Sequence, residues 1–189
     1  MATPAGIRIA QTVGITSAGF VAGTLPHCLA LQITHISLPG GTLCISYLYI
    51  PSLLLSPYPL VVRQWQKSFD IGKVAHQIVA AISMGAYGYL AYQMKGTLDQ
   101  HKAELYGICA LFNFFIWPWT ILVTMPTNMK LFKKHDECQA AGWDAKVNED
   151  GVSKEQSSHE LIRYWSNLNI VRGCFPLLAA ALGVWATVS

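Results

Sequence analysis

Long apolar stretches separated by short charged ones constrain this chain more than any other feature. All ten acidic residues fall at Asp70, within 99–104 or within 136–160. The rest of the sequence contains four apolar regions, at about 6–55, 74–94, 105–125 and 168–188. Each has the roughly 20 residues that a helix needs to cross a bilayer. Charged residues make up only 12 % of the chain, against about 25 % in a typical soluble domain. The pattern predicts an all-α integral membrane protein, a four-helix bundle forming one transmembrane domain over 1–189.

The first apolar region is longer than one crossing requires. It is interrupted near Leu38-Pro39-Gly40-Gly41, and glycine and proline interrupt helices. The region therefore contains either two crossings, or one crossing with a re-entrant or surface piece. Arg8 is its only flanking charge and no clear small-residue cleavage site follows, so a cleavable signal peptide is not expected.

Basic residues are distributed unequally between the segments that join the apolar regions. Nine lie at 63–73 and 130–163, whereas the segment between the second and third regions has only Lys95 and Lys102. Because cytoplasmic loops of membrane proteins are enriched in lysine and arginine, we expect 63–73 and a loop at about 130–163 to be cytosolic. The endoplasmic reticulum or a related endomembrane is the expected location. The net charge of +3 then reflects topology.

Several other classes of protein are not supported by the sequence. No basic stripe with interleaved aromatic residues suggests nucleic-acid binding. The five cysteines are scattered without a C-x-x-C pair, which argues against a disulfide-exchange enzyme or a zinc site. Gly-rich phosphate loops and G-x-S-x-G motifs are absent from the sequence. No metal ligands are therefore assigned.

Polar and aromatic side chains recur at helical spacing inside the apolar regions, where a spacing of four, three and four residues places them on one face. The fourth region has this spacing at Trp165, Asn169, Arg172 and Pro176. The third has it at Asn113, Trp117, Thr120 and Thr124, with Asn128 one turn beyond. The second carries His76, Ser83 and Tyr87 on one face.

These faces predict a small polar pocket inside the bundle, near the cytosolic membrane boundary. Arg172 is the most informative residue, because an arginine at the centre of a membrane helix costs about 2.5–3.5 kcal/mol on insertion scales. Alternatives remain at several positions. Asn113, Thr120 and Thr124 suit interhelical hydrogen bonds equally well, and Arg172 could extend to the headgroups. Four further tryptophans are expected in packing or belt positions, namely Trp65, Trp119, Trp143 and Trp185.

Two motifs carry a resemblance to a known family. The first is P-x-T-x-x-x-x-M-P-x-N-x-x-L, formed by Pro118, Thr120, Met125, Pro126, Asn128 and Leu131. The second is W-x-x-x-N-x-x-R-x-x-x-P from Trp165 to Pro176. With Trp65 and Gly72 in the stretch before the second helix, they resemble the DUF1772 family of small four-helix membrane proteins, in particular its fungal anthrone oxygenase branch. Residues 24–40 look like an insertion relative to that family.

The resemblance implies oxidation of an anthrone to an anthraquinone by molecular oxygen, with no flavin or metal cofactor, in polyketide secondary metabolism. The implied partners are a lipophilic aromatic polyketide substrate and the lipid bilayer. Such a reaction needs a base for the carbon acid and donors for the developing oxyanion. His76 is assigned as the base, and Arg172, Asn169 and Asn128 as donors. The residues assigned to substrate binding are Tyr87, Trp117, Thr120 and Trp165.

Two other functions are compatible with the residues alone. One is a haem- or metal-dependent membrane redox protein, for which His27 and His35 in the inserted segment would be candidate ligands. The other is a non-enzymatic membrane scaffold, in which the asparagines and Arg172 only hold helices together.

Overall fold

The computed structural model describes residues 4–22, 42–142 and 157–189, and this part of the chain is helical without a β-strand. Five helices are long: α1 (Pro4–Ala22), α4 (Leu60–Met94), α5 (Gln100–Phe114), α7 (Met125–Ala141) and α8 (Ser158–Val188). Three are short: α2 (Thr42–Cys44), α3 (Ile50–Leu53) and α6 (Ile116–Trp119). The all-α prediction is confirmed for this part of the protein. The inserted segment with His27 and His35 lies outside the described residues.

The long helices pack side by side, α4 against α1 and α5, and α8 against α1 and α5. Two apolar clusters mark their opposite ends. The Trp65–Trp165 cluster comprises Ile50, Leu53, Val61, Val62, Trp65, Leu131, Leu161, Ile162 and Trp165. The Tyr87–Tyr106 cluster comprises Ala10, Ala18, Tyr87, Leu90, Tyr106, Cys109, Ala179 and Ala186. The Trp65–Trp165 cluster joins the start of α4 to the start of α8, and the Tyr87–Tyr106 cluster joins their ends. Helices α4 and α8 therefore run parallel, and the path from α5 to α7 runs antiparallel to both.

Prolines shape the chain where helices are interrupted. Two π-helical segments, Ile45–Tyr49 and Thr120–Thr124, are followed closely by Pro51 and Pro126 at the starts of α3 and α7. Proline has no backbone N–H and its ring collides with the carbonyl four residues earlier. The preceding turn therefore widens, and π-helical turns of this kind are frequent at functional sites.

The polar connection between α7 and α8 is shorter than the sequence suggested. The helical path continues through Lys133 to Ala141 and ends at Gly142, whose φ of 83° suits glycine. At its other end Ser157 caps α8 by accepting a hydrogen bond from the Glu160 backbone N–H at 3.3 Å. This pair has the sequence spacing of a capping box.

Both predicted basic segments lie at the end of the molecule that holds the Trp65–Trp165 cluster, because 63–73 belongs to the start of α4 and 130–134 to α7. Two contacts tie the linker before α4 to this end. The Cys138 thiol donates to the Tyr58 hydroxyl at 2.9 Å, and His159 Nε2 lies 3.0 Å from the Ser56 carbonyl oxygen. Lys95 and Lys102 lie at the opposite end.

Two helical stretches, Gln100–Ala141 and Ser158–Val188, are long and apolar enough to cross a membrane. Only 22 % and 33 % of their most apolar windows is buried inside the protein. α4 also exposes large apolar side chains, among them Val74, Ile78 and Ile82. Exposed apolar surface of this extent is unusual for a soluble monomer.

Gly183 is expected to be essential for packing α8 against α4. A Cβ added there would lie 2.9 Å from Tyr87 Cε1 and closer still to its hydroxyl oxygen. Overpacking of this kind costs about 1–3 kcal/mol, so Gly183→Ala should lower the midpoint of thermal unfolding in detergent, followed by circular dichroism. Gly88→Ala is the matched control. No atom lies within 4 Å of its added Cβ among the described residues, and alanine is the better helix former by roughly 0.5–1 kcal/mol. Equal unfolding midpoints for the two variants would contradict this packing role.

Candidate active site

α4 brings an aromatic and polar face to the interior. Trp65, Phe69, Gly72 and His76 are spaced by four, three and four residues and so share one side of the helix. Trp65 is buried, whereas Phe69, Gly72 and His76 are half-buried; Ala80, one turn further, is again fully buried. The interior is therefore less tightly closed at the level of His76 than on either side of it.

His76 is held in an orientation that suits a base. Its Nδ1 lies 2.9 Å from the Gly72 carbonyl oxygen. A carbonyl only accepts, so Nδ1 carries the proton in this hydrogen bond and Nε2 of the neutral ring has a free lone pair. Nε2 is buried and has no hydrogen-bond partner among the described residues. His76 therefore presents an unoccupied proton acceptor to the interior.

α8 contributes Trp165, Asn169 and Arg172 on one face, as the spacing predicted. Asn169 is fully buried, and its Nδ2 donates to the Trp165 carbonyl oxygen at 2.8 Å. This bond fixes the orientation of the amide, so the buried atom without a partner in the described part of the chain is the oxygen Oδ1. The atom that Asn169 leaves unused is thus an acceptor, where the sequence suggested a donor.

Arg172 is half-buried in the middle of α8, and none of the ion pairs of the described residues involves it. Its charge lies close enough to act electrostatically on His76. Pro176, four residues later, cannot donate to the Arg172 carbonyl. The region around Arg172 therefore combines a positive charge with a backbone acceptor that the helix leaves unused.

The path from α5 to α7 supplies further buried polar groups. Asn128 and Thr124 are buried, and the Asn128 Oδ1 and Thr124 Oγ1 atoms have no partner in residues 4–22, 42–142 and 157–189. Asn113 donates to the Cys109 carbonyl oxygen at 2.9 Å, and Thr120 to that of Ile116 at 2.6 Å. Both bonds lie within the residue's own helical stretch, and no interhelical hydrogen bond of either side chain is found within the described residues.

Aromatic side chains surround these groups on two levels. The Trp65 and Trp165 rings meet edge to face, with centroids 5.8 Å apart. At the level of Ala80, Trp117 packs with Phe175 against the contact between α4 and α6. α4, α7 and α8 touch one another pairwise. The structure thus brings His76, Asn128, Trp165, Asn169 and Arg172 onto three mutually packed helices, with Trp117 and Thr120 on the adjoining turns.

Tyr87 lies apart from this group. It belongs to the cluster at the opposite end of the molecule, where its hydroxyl donates to the Ala179 carbonyl oxygen at 3.2 Å and its ring stacks on Tyr106. Its side chain is completely buried. In this position Tyr87 links α4 to α8 and α5.

Trp65 takes the packing position, one of the two alternatives that the sequence analysis gave for it, and it lies beside residues predicted for the site. It is 1 % exposed and packs against Trp165, and therefore does not lie in a lipid-facing belt. A signal was present, because Trp65 and His76 are related by the same four, three and four spacing that marked the other faces.

Two other kinds of site were considered. Within the described residues no three His, Cys, Asp or Glu side chains are grouped as metal ligands. An open surface groove of about 240 Å³ lies at the opposite end of α4, between Tyr92, Lys95 and Glu104. The groove contains none of the residues predicted for the site, and its openness makes it less suited to desolvated chemistry than the buried groups around His76.

Comparison with known proteins identifies the family of this chain. The sequence profile described as anthrone oxygenase matches residues 65–182. The chain belongs to the anthrone oxygenase family. The resemblance inferred from the two sequence motifs is thereby confirmed. The matched region runs from Trp65 into α8 and includes every residue predicted for the site, whereas the inserted segment lies outside it.

Individual members of the anthrone oxygenase family resemble most of the chain. The anthrone oxygenase encC of Aspergillus fumigatus is 29 % identical over 160 residues, covering 80 % of this chain and 86 % of that protein. The anthrone oxygenase nsrD of Aspergillus novofumigatus is 28 % identical, with the same two coverages. The monooxygenase hypC of Dothistroma septosporum is 24 % identical and covers 95 % of this chain and 85 % of its own length. No solved structure matches the chain.

Proposed function

We propose that this protein is a membrane oxygenase that converts an anthrone to an anthraquinone with molecular oxygen in fungal polyketide metabolism. Family membership supports the class of reaction. The observation that carries the assignment is the arrangement of the His76 ring. Its Nδ1 is held by the Gly72 carbonyl oxygen, its buried Nε2 has no partner among the described residues, and the charge of Arg172 acts on it. Removal of a carbon-bound proton requires a base and, where the negative charge of the substrate develops, a stabilising positive charge or donor.

The substrate supplies the reducing power for this reaction. The CH₂ carbon of an anthrone lies between two aryl rings and opposite the carbonyl, so its proton can be removed to leave a delocalised oxyanion. That anion gives one electron to O₂, and the resulting radical and superoxide combine to a peroxide anion at the same carbon. The peroxide takes back the proton removed in the first step and becomes a hydroperoxide. Loss of the second C–H proton breaks the O–O bond and releases water. One oxygen atom ends in the new carbonyl and one in water, so no external reductant is needed.

Residues of three helices take the roles this sequence of steps requires. His76 Nε2 removes the proton, and Arg172 stabilises the negative charge that forms. The buried oxygens of Asn128 and Asn169 are acceptors that suit hydroxyl groups on the rings of a substrate. Trp165 and Trp117 supply apolar surfaces for a flat molecule, with Thr120 on the adjoining turn. Because the substrate itself reduces O₂, we propose that no flavin, haem or metal takes part.

A lipophilic substrate reaches the site from the side. Trp65 and Asn169 have almost no exposed surface, whereas Gly72, His76 and Arg172 are half-buried at one level of the helices. Among the described residues, a Cβ added to Gly72 would have only the His76 ring within 4 Å, so none of the helices described here closes off this position. We infer entry of the substrate from the bilayer at this level, with displacement of side chains as it moves inward.

Oxygen consumption by the purified protein tests the function directly. The protein in detergent or nanodiscs should take up one O₂ per anthrone and release anthraquinone, followed by its absorbance, well above the rate of protein-free oxidation. A spectrum with a haem or flavin band that tracks activity would overturn the cofactor-free mechanism. Absence of catalysed uptake would instead favour a scaffold role.

We further propose that α1, α4, the path from α5 to α7 and α8 form a four-helix bundle across an endomembrane such as the endoplasmic reticulum. The basic end faces the cytosol, since it carries 63–73 and 130–134. The two apolar stretches of sufficient length and the exposed apolar side chains of α4 support this arrangement.

Single cysteines introduced on a cysteine-free background test the topology. Lys67→Cys and Lys130→Cys should react from the cytosolic side with an impermeant thiol reagent. Lys95→Cys should react only from the opposite side. Labelling of Lys67→Cys and Lys130→Cys from different sides would rule out the proposed bundle.

A further inference from the structure

Two tryptophans in the interior have indole N–H groups without an acceptor. Trp65 is 1 % exposed and Trp165 is 7 % exposed, and neither Nε1 atom has a hydrogen-bond partner among the residues that the structure describes. A buried donor left without an acceptor costs about 1–3 kcal/mol. Two such donors on rings in direct contact therefore indicate a place where an acceptor binds.

Other indoles show that the fold can pair this group when no ligand is needed. Trp119 donates its N–H to the Leu168 carbonyl oxygen at 3.3 Å. The nearby amide of Asn169 likewise uses a backbone carbonyl, and so do Asn113 and Thr120. The fold can therefore supply a backbone acceptor to an indole N–H, but among the described residues it does not do so for Trp65 and Trp165.

We infer that the indole N–H groups of Trp65 and Trp165 bind the carbonyl oxygen of the anthrone, and the oxyanion that replaces it after proton loss. This inference rests on the proposed function. An indole N–H donates and cannot accept, so the bound group is an acceptor such as a ketone or phenolate oxygen. Donors placed where negative charge develops accelerate such a reaction.

The donors and the base lie at different levels of α4. The carbonyl and the CH₂ group lie on opposite sides of the central ring of an anthrone, so donor and base must approach from opposite sides. Trp65 precedes His76 by eleven residues on the same face, a rise of about 16 Å along the helix. Phe69 and Gly72 lie between them and are half-buried. Phe69 stacks on Trp65 with centroids 5.4 Å apart, so an aromatic surface continues from the indole pair towards His76.

In this arrangement the indoles and Arg172 act on different parts of the substrate. Arg172 lies on α8, which packs against α4, and its charge acts on His76; the proposal therefore assigns it to the CH₂ end, where superoxide and the hydroperoxide form. The indoles lie at the carbonyl end, where the charge of the ionised anthrone accumulates. Loss of an indole N–H should therefore impair ionisation of the bound substrate, whether or not oxygen is present.

The test uses the anthrone under nitrogen, where it binds without being oxidised. The fraction present as the bound anion is followed by its absorbance as pH is raised. Trp65→Phe and Trp165→Phe should each shift half-ionisation to higher pH by about one unit or more, and under air lower kcat by about 10²–10³-fold with little change in KM. Trp185→Phe, at a residue 61 % exposed, should match the wild type in both measurements.

A second measurement needs only the wild-type fold. In protein labelled with ¹⁵N-tryptophan, the indole N–H signals of Trp65 and Trp165 should move downfield when the anthrone binds, and that of Trp119 should not. The two Trp→Phe variants assign the signals. Normal turnover of the wild type with unchanged ionisation in both variants and unmoved signals would overturn the indole assignment alone. A wild type without oxygen uptake would overturn the proposed function itself.

Discussion

Replacement of Arg172 by leucine should abolish anthrone oxidation while the protein still inserts and folds. The change removes a charge that costs about 2.5–3.5 kcal/mol to insert in a membrane helix, and Arg172 has no carboxylate partner in the described structure to leave unpaired. Loss of one donor to a developing negative charge lowers kcat by about 10²–10³-fold in other enzymes, and a full positive charge near the CH₂ carbon, where superoxide and the peroxide form, should matter at least as much. Oxygen uptake and the thermal unfolding midpoint are the two measurements.

Arg163→Leu is the matched control for this experiment. Arg163 lies on the same helix but is exposed, and it pairs with Glu160 at 2.9 Å. Exposed pairs of this kind contribute about 0–1 kcal/mol, so activity and stability should remain close to those of the wild type. Near-normal turnover in Arg172→Leu would show that Arg172 is a structural or snorkelling residue, and its role towards the substrate anion would have to be abandoned.

Replacement of His76 by glutamine should lower turnover by about 10²–10⁴-fold at neutral pH, the usual contribution of general acid–base catalysis. The glutamine amide can hydrogen-bond but cannot take up a proton. In the wild type, turnover should rise with pH until the imidazole is neutral and then level off. In the variant that step should disappear, and the rate should partly return at higher pH, where the anthrone ionises unaided. Initial rates of oxygen uptake across pH measure both effects.

His101→Gln is the control for the histidine, because His101 is exposed on α5 at the opposite end of the molecule. Its pH–rate profile should match that of the wild type. An unchanged profile in His76→Gln would mean that no side-chain base is needed and that Arg172 with the neighbouring polar groups lowers the pKa of the substrate itself.

Much of the helical architecture was predictable from local sequence. The apolar regions at 105–125 and 168–188 fall inside helical stretches long enough to cross a membrane, since apolar length alone sets this property. The shared face of Trp165, Asn169 and Arg172 followed from spacing because α8 is one uninterrupted helix. The basic segments 63–73 and 130–134 lie at one end of the molecule, as their positions between the apolar regions required.

Spacing was less reliable where the helix is irregular. The proposed face of Asn113, Trp117, Thr120 and Thr124 assumed one continuous α-helix, but the chain turns at Phe115 and is π-helical from Thr120 to Thr124. A π-helical turn contains more residues than an α-helical one and rotates everything after it. Pro126 follows this segment closely, but a proline does not by itself predict a π-helical turn, because proline also occurs in ordinary helices.

The sequence by itself determined which helices form, which polar residues face inward and the family to which the chain belongs. Only the tertiary structure decided which polar atoms are left without partners. Asn169 uses its N–H on a carbonyl of its own helix and keeps its oxygen free, and Trp65 meets Trp165 although 100 positions separate them. Likewise, only the tertiary structure shows that Tyr87 lies in the cluster at the opposite end of the molecule. The physical reason is that a hydrogen bond depends on which groups of neighbouring helices come within about 3 Å, and spacing along one helix carries no information about that.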